Sequence, residues 1–318
     1  MRILKFILPI FLLSLFTGVS LAGPYTEAGI PAYIGNEINP IFKGWATGYV
    51  NYLPTPSAES SWRTPELALG PPGETYPASP HFDVVSLGDL DQAQIDAWLS
   101  DPENNQGPGE ITMTFDKPII NGDGYDFAVF ENGFFVYPPT MPPKGFFELA
   151  WVDVSTDGEY YARFKGMSIT PHPGVTYYPY LPTDPTDVYY FAGKHANSYD
   201  GPFEGTGFDL EDLTDDPMVI SGYVDLNNIN YVRIVDIPGN GDFDDSLGNP
   251  IIDPWFTWAL SSTPDDNSSG FDLEAVGVIN QYEPPASVPG PTWLLVPTAG
   301  ILIFMGRRSF LNLYRRSY

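Results

Sequence analysis

Residues 147–164, FELAWVDVSTDGEYYARF, have the pattern that decides the fold. The first part, residues 147–154, is rich in apolar and β-branched side chains, and the last part, residues 160–164, is largely aromatic. Between them, residues 155–158 end in Asp-Gly, a pair typical of tight turns that join antiparallel strands. The segment therefore predicts a β-hairpin.

Strand patterns lie on both sides of this hairpin. Residues 109–115 alternate, with Ile111, Met113 and Phe115 on one face, and residues 127–130 form a short apolar run typical of a buried strand. Further sheet segments are predicted at 41–52, 82–87, 222–226, 230–237 and 271–280. With 34 Pro, 31 Gly and no repeating βαβ unit, the chain is predicted to be all-β, an antiparallel β-sandwich of jelly-roll type with long loops.

Two segments have helical features. Residues 89–99 place Leu90, Ile95 and Trp98 near helical spacing, and residues 64–72 predict one helical turn with Pro65 at its first position. The region 170–222 has little periodicity and is interpreted as a long insertion. Residues 240–250 are interpreted as an acidic loop.

Four blocks of the body resemble a group of bacterial exported cell-surface proteins, many of which end in a PEP-CTERM tail. The blocks are DFAVFEN (126–132), ELAWVDVSTDGEYYARF (148–164), VDLNNINYVRIVDI (224–237) and GFDLEAVGVIN (270–280). The resemblance implies an exported location and a β-sandwich fold rather than a particular activity.

The C-terminal segment, 284–318, has a Pro-containing turn, an apolar run over 293–305 and a basic end. This arrangement resembles the PEP-CTERM sorting signal, although Gly290 stands where that family usually has Glu. The resemblance implies an exosortase as processing partner and a membrane anchor before processing; an ordinary C-terminal anchor is the alternative. The residues that define the motif are Val288, Pro289, Pro291, Arg307 and Arg308.

The N-terminus predicts a secretory signal peptide over residues 1–22. Arg2 and Lys5 precede an apolar core at 6–16, and Ala22 ends a small-residue cleavage site. The predicted organisation is therefore a signal peptide at 1–22, a β-sandwich body at 23–283 and a sorting segment at 284–318. Such a protein would be exported, held through its C-terminus, and then lie at the cell surface or outside the cell.

The formal net charge of −26 limits the possible partners and points to a cation. A charge of this sign repels phosphate backbones, which argues against nucleic-acid binding. It also opposes a compact state unless cations neutralise it, and calcium is a hard ion that takes carboxylate and carbonyl oxygens. A solvated acidic surface is the alternative for most of these residues.

Several acidic residues at predicted strand ends are candidate calcium ligands. Segments that are distant in sequence could bring them together at one edge of a sandwich, where calcium would need about 6–8 oxygens. Alternatively, they cap turns and accept backbone hydrogen bonds. The preferred ligands are Asp126, Glu131, Asp236, Asp253 and Asp272.

Aromatic residues at 177–191 and 255–258 suggest a second possibility, a platform that stacks on sugar rings, with loop packing as the alternative. Acidic pairs also leave a glycoside hydrolase open, but no nucleophile motif is present. The sequence thus favours a non-catalytic surface or extracellular-matrix protein of an exopolysaccharide-producing bacterium. A carbohydrate-binding module or a carbohydrate-active hydrolase is the alternative.

Overall fold

The computed structural model describes residues 23–73, 83–137, 139, 143–172, 182–197, 203–254 and 269–284. The chain divides into two compact units, Met1–Tyr282 and Glu283–Tyr318, and only residues 283 and 284 of the second are described. The predicted signal peptide and nearly all of the predicted sorting segment therefore lie outside the described residues.

The described part of the chain is mostly β-structure. Its strands, in chain order, are β1 (Ile30–Pro31), β2 (Tyr33–Ile34), β3 (Glu37–Ile38), β4 (Gly44–Trp45), β5 (Gly48–Leu53), β6 (Val85–Ser86), β7 (Glu110–Ile119), β8 (Phe127–Glu131), β9 (Phe134–Phe135), β10 (Gly145–Phe146), β11 (Ala150–Ser155), β12 (Ala162–Arg163), β13 (Met167–Ser168), β14 (Val188–Tyr189), β15 (Glu204–Phe208), β16 (Ile229–Asp236), β17 (Asn240–Asp244), β18 (Pro250–Ile252) and β19 (Asp272–Val278).

Helices are few by comparison in the described residues. The α-helices are α1 (Gln92–Ser100) and α2 (Pro217–Ile220), and 3-10 turns cover Ser60–Trp62, Pro65–Ala68, Pro185–Asp187 and Leu210–Leu213. Within the described ranges, no helix combines the length and the apolar character that crossing a membrane would require.

Two antiparallel sheets contain the longer strands. The first has the order β1-β15-β8-β19-β4, with β6 also paired to β19, and the second has the order β12-β11-β16-β7-β5. A single buried cluster includes side chains from both, such as Val129 and Val276 from the first sheet and Ile111, Val152 and Val232 from the second. The core therefore joins the two sheets.

The structure confirms the predicted hairpin and the buried strand. In the hairpin, β11 pairs antiparallel with β12, so that Asp153 lies opposite Arg163. Every residue of β8 is buried, as the apolar run at 127–130 predicts. The turn between the hairpin strands is fixed by the Asp157 carboxylate, which accepts hydrogen bonds from the N–H groups of Glu159 and Tyr160.

Three predictions on the elements need correction. Helix α1 begins at Gln92 rather than at residue 89, because the Asp91 side chain caps it and Gln94 bonds back to the Asp91 N–H. The acidic loop at 240–250 is largely β-structure, since β17 pairs with β18. Residues 222–226 form turns rather than a strand.

The largest error concerns β15, which lies inside the region interpreted as an insertion. It pairs with β8 near the middle of the first sheet. Its sequence, EGTGF, has little β-propensity, but an added Cβ at Gly205 would lie 2.8 Å from the Phe130 ring. The glycine is therefore needed for the close approach of that ring, and packing overrides propensity here.

Candidate metal centre

Eight acidic residues with almost no solvent exposure converge at one end of the two sheets. They lie before or after β6, at the ends of β8 and β16, before β11, after β18 and at the start of β19. Antiparallel pairing brings these positions together, because the last residue of one strand lies beside the first residues of its neighbour. We call this set the carboxylate cluster: Asp83, Asp89, Glu131, Glu148, Asp236, Asp253, Asp272 and Glu274, each at most 8% exposed.

Backbone contacts join the two sheets at this end. The Phe271 N–H donates to Asp236 Oδ1 at 2.7 Å, and the Gly270 N–H donates to Glu148 Oε1 at 2.8 Å. Both donors lead into β19 of the first sheet, whereas both acceptors belong to segments of the second. The start of β19 is therefore fixed by carboxylates from the opposite sheet.

Three carboxylates share one arrangement, in which one oxygen is held and the other is not. Glu131 Oε2 accepts from the Gly133 N–H at 2.8 Å, Asp236 Oδ1 accepts from Phe271, and Asp272 Oδ2 accepts from the Asn132 amide at 3.3 Å. Their second oxygens, Glu131 Oε1, Asp236 Oδ2 and Asp272 Oδ1, are buried and have no hydrogen-bond partner within the described residues. In metal sites, ligating carboxylates are oriented by such outer hydrogen bonds.

Glu274 differs from these three carboxylates, because neither of its oxygens has a hydrogen-bond partner in the described part of the chain. It is 1% exposed and lies at an irregularity in the pairing of β19 with β8, where Leu273 is opposite Glu131 but Ala275 is opposite Phe130. A bulge of this kind leaves one residue unpaired and re-aims its side chain. A buried, unpartnered carboxylate costs several kcal/mol unless something neutralises or binds it.

The electrostatics of the cluster show the same need for a positive charge. Burial raises the pKa of Glu131, Glu148, Asp236 and Glu274 well above the ordinary range, and neighbouring carboxylates raise each of them further. Burial also raises the pKa of Asp272, to about 7. The charged groups that shift these five pKa values most are acidic, so the cluster must take up either protons or a cation.

Asp126, one of the predicted ligands, lies elsewhere. It precedes β8 whereas Glu131 ends it, which separates the two by about 16 Å of extended strand. Its carboxylate accepts hydrogen bonds from the N–H groups of Gly122 and Leu210 and from the Asn280 amide, each at 2.8 Å. Asp126 thus has the turn-capping role that the sequence left open as an alternative, and we leave it out of the candidate centre.

The other four predicted ligands, Glu131, Asp236, Asp253 and Asp272, all belong to the carboxylate cluster. Asp83, Asp89 and Glu148 were not predicted as ligands, and Glu274 was not among the preferred ones. Glu148 had a detectable signal as the lone acid inside the apolar block FELAWV, and Glu274 as the second acid, after Asp272, in the otherwise apolar block FDLEAV. The flanking position of Asp83 and Asp89 around β6 becomes informative only when β6 is known to pair with β19.

The geometry around the cluster is tightly constrained. Gly239 adopts φ +57, and a Cβ there would lie 2.2 Å from Asp253 Cγ.

Among the described residues, no group of three or more His, Cys, Asp or Glu side chains is already arranged to hold a metal ion. Coordination would therefore require the carboxylates to turn about their side-chain torsions, which have several staggered minima.

The structure describes three of the aromatic residues predicted to form a sugar platform. Tyr190 and Phe191 are buried, and Tyr190 packs against Phe164 and Phe208, so these residues support the packing alternative. Tyr189, the third described candidate, is half-buried and stacks against the Tyr25 ring. The other aromatic candidates, at 177–180 and 255–258, lie outside the described residues.

Comparison with known proteins gives no family for this chain. No protein-family model matches it, and no curated protein matches it. Its chemistry therefore has to be inferred from its own residues.

Proposed function

We propose that this chain is a non-catalytic exported protein of the cell surface or extracellular matrix, whose β-sandwich of jelly-roll type is stabilised by calcium. One observation carries the calcium part of the proposal: buried carboxylate oxygens of Glu131, Asp236, Asp272 and Glu274 have no hydrogen-bond partner within the described residues. The other parts are supported by the sheet order and by the two ends of the sequence.

Calcium is the cation that suits this site best. The donors are all carboxylate oxygens, which hard cations prefer, and neither thiols nor imidazoles belong to the cluster. Magnesium demands a nearly ideal octahedron and gives up its waters reluctantly, whereas calcium accepts the irregular sets of 6–8 oxygens that segments from two sheets can supply. An exported protein without cysteines would gain from the ion the stability that disulfides give to others.

The β-sandwich is supported by the way in which the chain crosses between sheets. Strand β7 belongs to the second sheet, β8 to the first, β11 to the second, β15 to the first, β16 to the second and β19 to the first. Repeated crossing with antiparallel pairing is the connection pattern of double-sheet jelly rolls.

The burial of the cluster favours a structural role over catalysis. An acid with a raised pKa, such as Asp272, could in principle act as a general acid. However, every member of the cluster is at most 8% exposed, which would keep a polysaccharide away from these oxygens. Binding of a small ion needs no such access to the surface.

Thermal unfolding in calcium and in chelator tests the calcium part. We expect the melting temperature to rise with calcium concentration and to fall when a chelator is added, because a ligand that binds only the folded state stabilises it. Magnesium at equal concentration is the control and should give a much smaller rise. An identical melting temperature in calcium and in chelator would contradict the proposal.

Fractionation of the host cells tests the export part independently. We expect the chain outside the cytoplasm, cleaved after Ala22, with Arg307 and Arg308 needed for membrane retention before an exosortase acts. The matched variants replace both arginines by Ala or by Lys; only the first should alter the retained fraction. Uncleaved full-length chain in the cytosol would contradict export and would leave the calcium proposal unaffected.

A further inference from the structure

The carboxylate cluster contains more acidic oxygens than one calcium ion can coordinate. One ion takes about 6–8 oxygens at 2.3–2.6 Å, and its ligands therefore lie within about 5 Å of one another. The cluster has eight carboxyl groups, and a single divalent ion would leave most of their charge uncompensated in a buried site. This excess raises the question of whether the oxygens group around one point or two.

Strand β6 divides the cluster. Asp272 lies opposite Ser86 and Leu273 opposite Val85, and continuing this antiparallel register places Asp83 beside Glu274 and Ala275. Asp89 follows the other end of β6, after Leu87, whose N–H donates to the Phe271 carbonyl. An extended chain from residue 83 to residue 87 spans about 13 Å, which is more than the separation of about 5 Å between oxygens that share one ion, and we therefore assign Asp83 and Asp89 to different ions.

Each end of β6 has its own acidic neighbours. At the Asp89 end, a Cβ on Gly270 would lie 2.6 Å from the Asp89 nitrogen, and the next residue, Phe271, holds Asp236. Asp236 Oδ2 is an unpartnered oxygen at this end, within the described residues. At the Asp83 end, both carboxylate oxygens of Glu274 lack a hydrogen-bond partner within the described residues. Buried oxygens that could bind a cation are therefore present at both ends.

Asp272 lies between the two ends. It is two residues before Glu274 and one residue after Phe271; its Oδ2 accepts from the Asn132 amide, and its Oδ1 has no hydrogen-bond partner within the described residues. The charge of Asp272 acts in both directions, because it raises the pKa of Asp236 on one side and of Glu274 on the other. A carboxylate so placed can bridge two cations.

We infer that the cluster holds two calcium ions, one near Asp89 and Asp236 and the other near Asp83 and Glu274, with Asp272 shared between them. This inference rests on the proposed calcium binding and adds its stoichiometry and the division of the ligands. Asp253, whose N–H donates to the Gly239 carbonyl three residues after Asp236, belongs to the first ion. Glu131, which lies opposite Leu273, belongs to the second.

Native mass spectrometry of the purified full chain, titrated with calcium chloride, tests the inference because it counts the ions on the folded species alone. We expect two calcium ions per chain, one in Asp236→Asn and one in Glu274→Gln. The exposed Asp242, in the β17–β18 hairpin, gives the matched control, and Asp242→Asn should keep two ions. Should either variant lose its folded charge states, Asp89→Asn and Asp83→Asn replace them at the same two ends.

The outcomes distinguish failure of the two-site inference from failure of the calcium proposal on which it rests. Two ions in the wild type with one lost in each variant support two sites. A single ion in the wild type, lost in both variants, overturns the division but leaves calcium binding intact. No calcium on the folded wild-type chain overturns both.

Discussion

The backbone N–H of Phe271 and the carboxylate of Asp236 form a 2.7 Å hydrogen bond that joins the two sheets at the carboxylate cluster. Phe271 precedes β19 of the first sheet, and Asp236 is the last residue of β16 in the second. The bond occupies Oδ1 and leaves Oδ2 buried without a hydrogen-bond partner in the described part of the chain. The same side chain thus fixes the sheets together and presents an oxygen for a cation.

Asp236→Asn should change stability in a calcium-dependent way. The Asn side chain keeps an acceptor for Phe271 but removes the charge, so in calcium we expect a loss of about 2–3 kcal/mol, the stabilisation given by a ligand near 100 times its Kd. In chelator, the variant should be no less stable than the wild type, because a buried charge with acidic neighbours has been removed. Denaturant unfolding in both buffers measures the difference. An equal loss in both would mean that Asp236 acts only through its hydrogen bond.

Asp153→Ala should destabilise the second sheet. Asp153 is 1% exposed on its side chain and accepts paired hydrogen bonds from Arg163, at 2.6 and 3.0 Å, and from Arg233, at 3.0 and 2.7 Å. Removing it leaves two guanidinium groups without their carboxylate, which should cost about 3 kcal/mol. The exposed pair Lys165–Asp215 is the control, and Lys165→Ala should cost under about 1 kcal/mol. Urea unfolding compares them; equal small losses would show that the Asp153 pairs contribute little.

Gly205→Ala should destabilise the first sheet by steric conflict. The added Cβ would meet the Phe130 ring at 2.8 Å, and overpacking of this kind costs about 1–3 kcal/mol. Gly35 provides a contrast, because it has φ +64 and open space, so Gly35→Ala should show only backbone strain of about 1 kcal/mol. The double variant Gly205→Ala with Phe130→Leu should recover part of the loss. Failure to recover any of it would place the conflict elsewhere.

His195 should make the protein sensitive to acid. Burial and the charge of Lys194 lower the pKa of His195 from 6.5 to about 3. The unfolded chain therefore takes up a proton near pH 6.5 and the folded chain does not, so the free energy of unfolding falls as pH drops from 6.5 towards 3. Between pH 7 and 5, the wild type should lose about 1–2 kcal/mol more than His195→Gln.

The comparison of variants isolates this effect, because the acidic residues titrate in both proteins. Their raised pKa values act in the opposite direction, since the folded state then binds protons before the unfolded state does. Parallel pH curves for wild type and His195→Gln would contradict the prediction.

Much of the mostly β architecture can be read from local pattern, and the exceptions have a physical cause. The hairpin of β11 and β12 and the buried run of β8 are encoded within a few residues, by apolar content and an Asp-Gly turn. Strand β15 is not encoded locally, because its glycines are explained only by the rings that pack on them from β8 and its neighbours. Local propensity cannot report a contact with a residue about 75 positions away.

The candidate centre is likewise predictable in part from local sequence and in part only from the fold. Glu131, Asp236 and Asp272 are predictable as acids at strand ends, but Asp126 has the same local signature and is instead bonded by Gly122, Leu210 and Asn280. Which acids share a site depends on which ends of the strands coincide, and that follows from sheet order rather than from sequence pattern. Asp83 and Asp89 join the cluster for this reason alone.

A crystal structure of the protein grown in calcium, with anomalous scattering recorded, is the most direct test of cation binding by the carboxylate cluster. We predict anomalous density at two positions, with oxygens of Asp236 and Asp272 about 2.3–2.6 Å from one ion and oxygens of Glu274 and Asp272 at the same distance from the other. Carboxylates that instead hydrogen-bond to one another or to water, with no anomalous density among them, would show that protons rather than calcium neutralise the site.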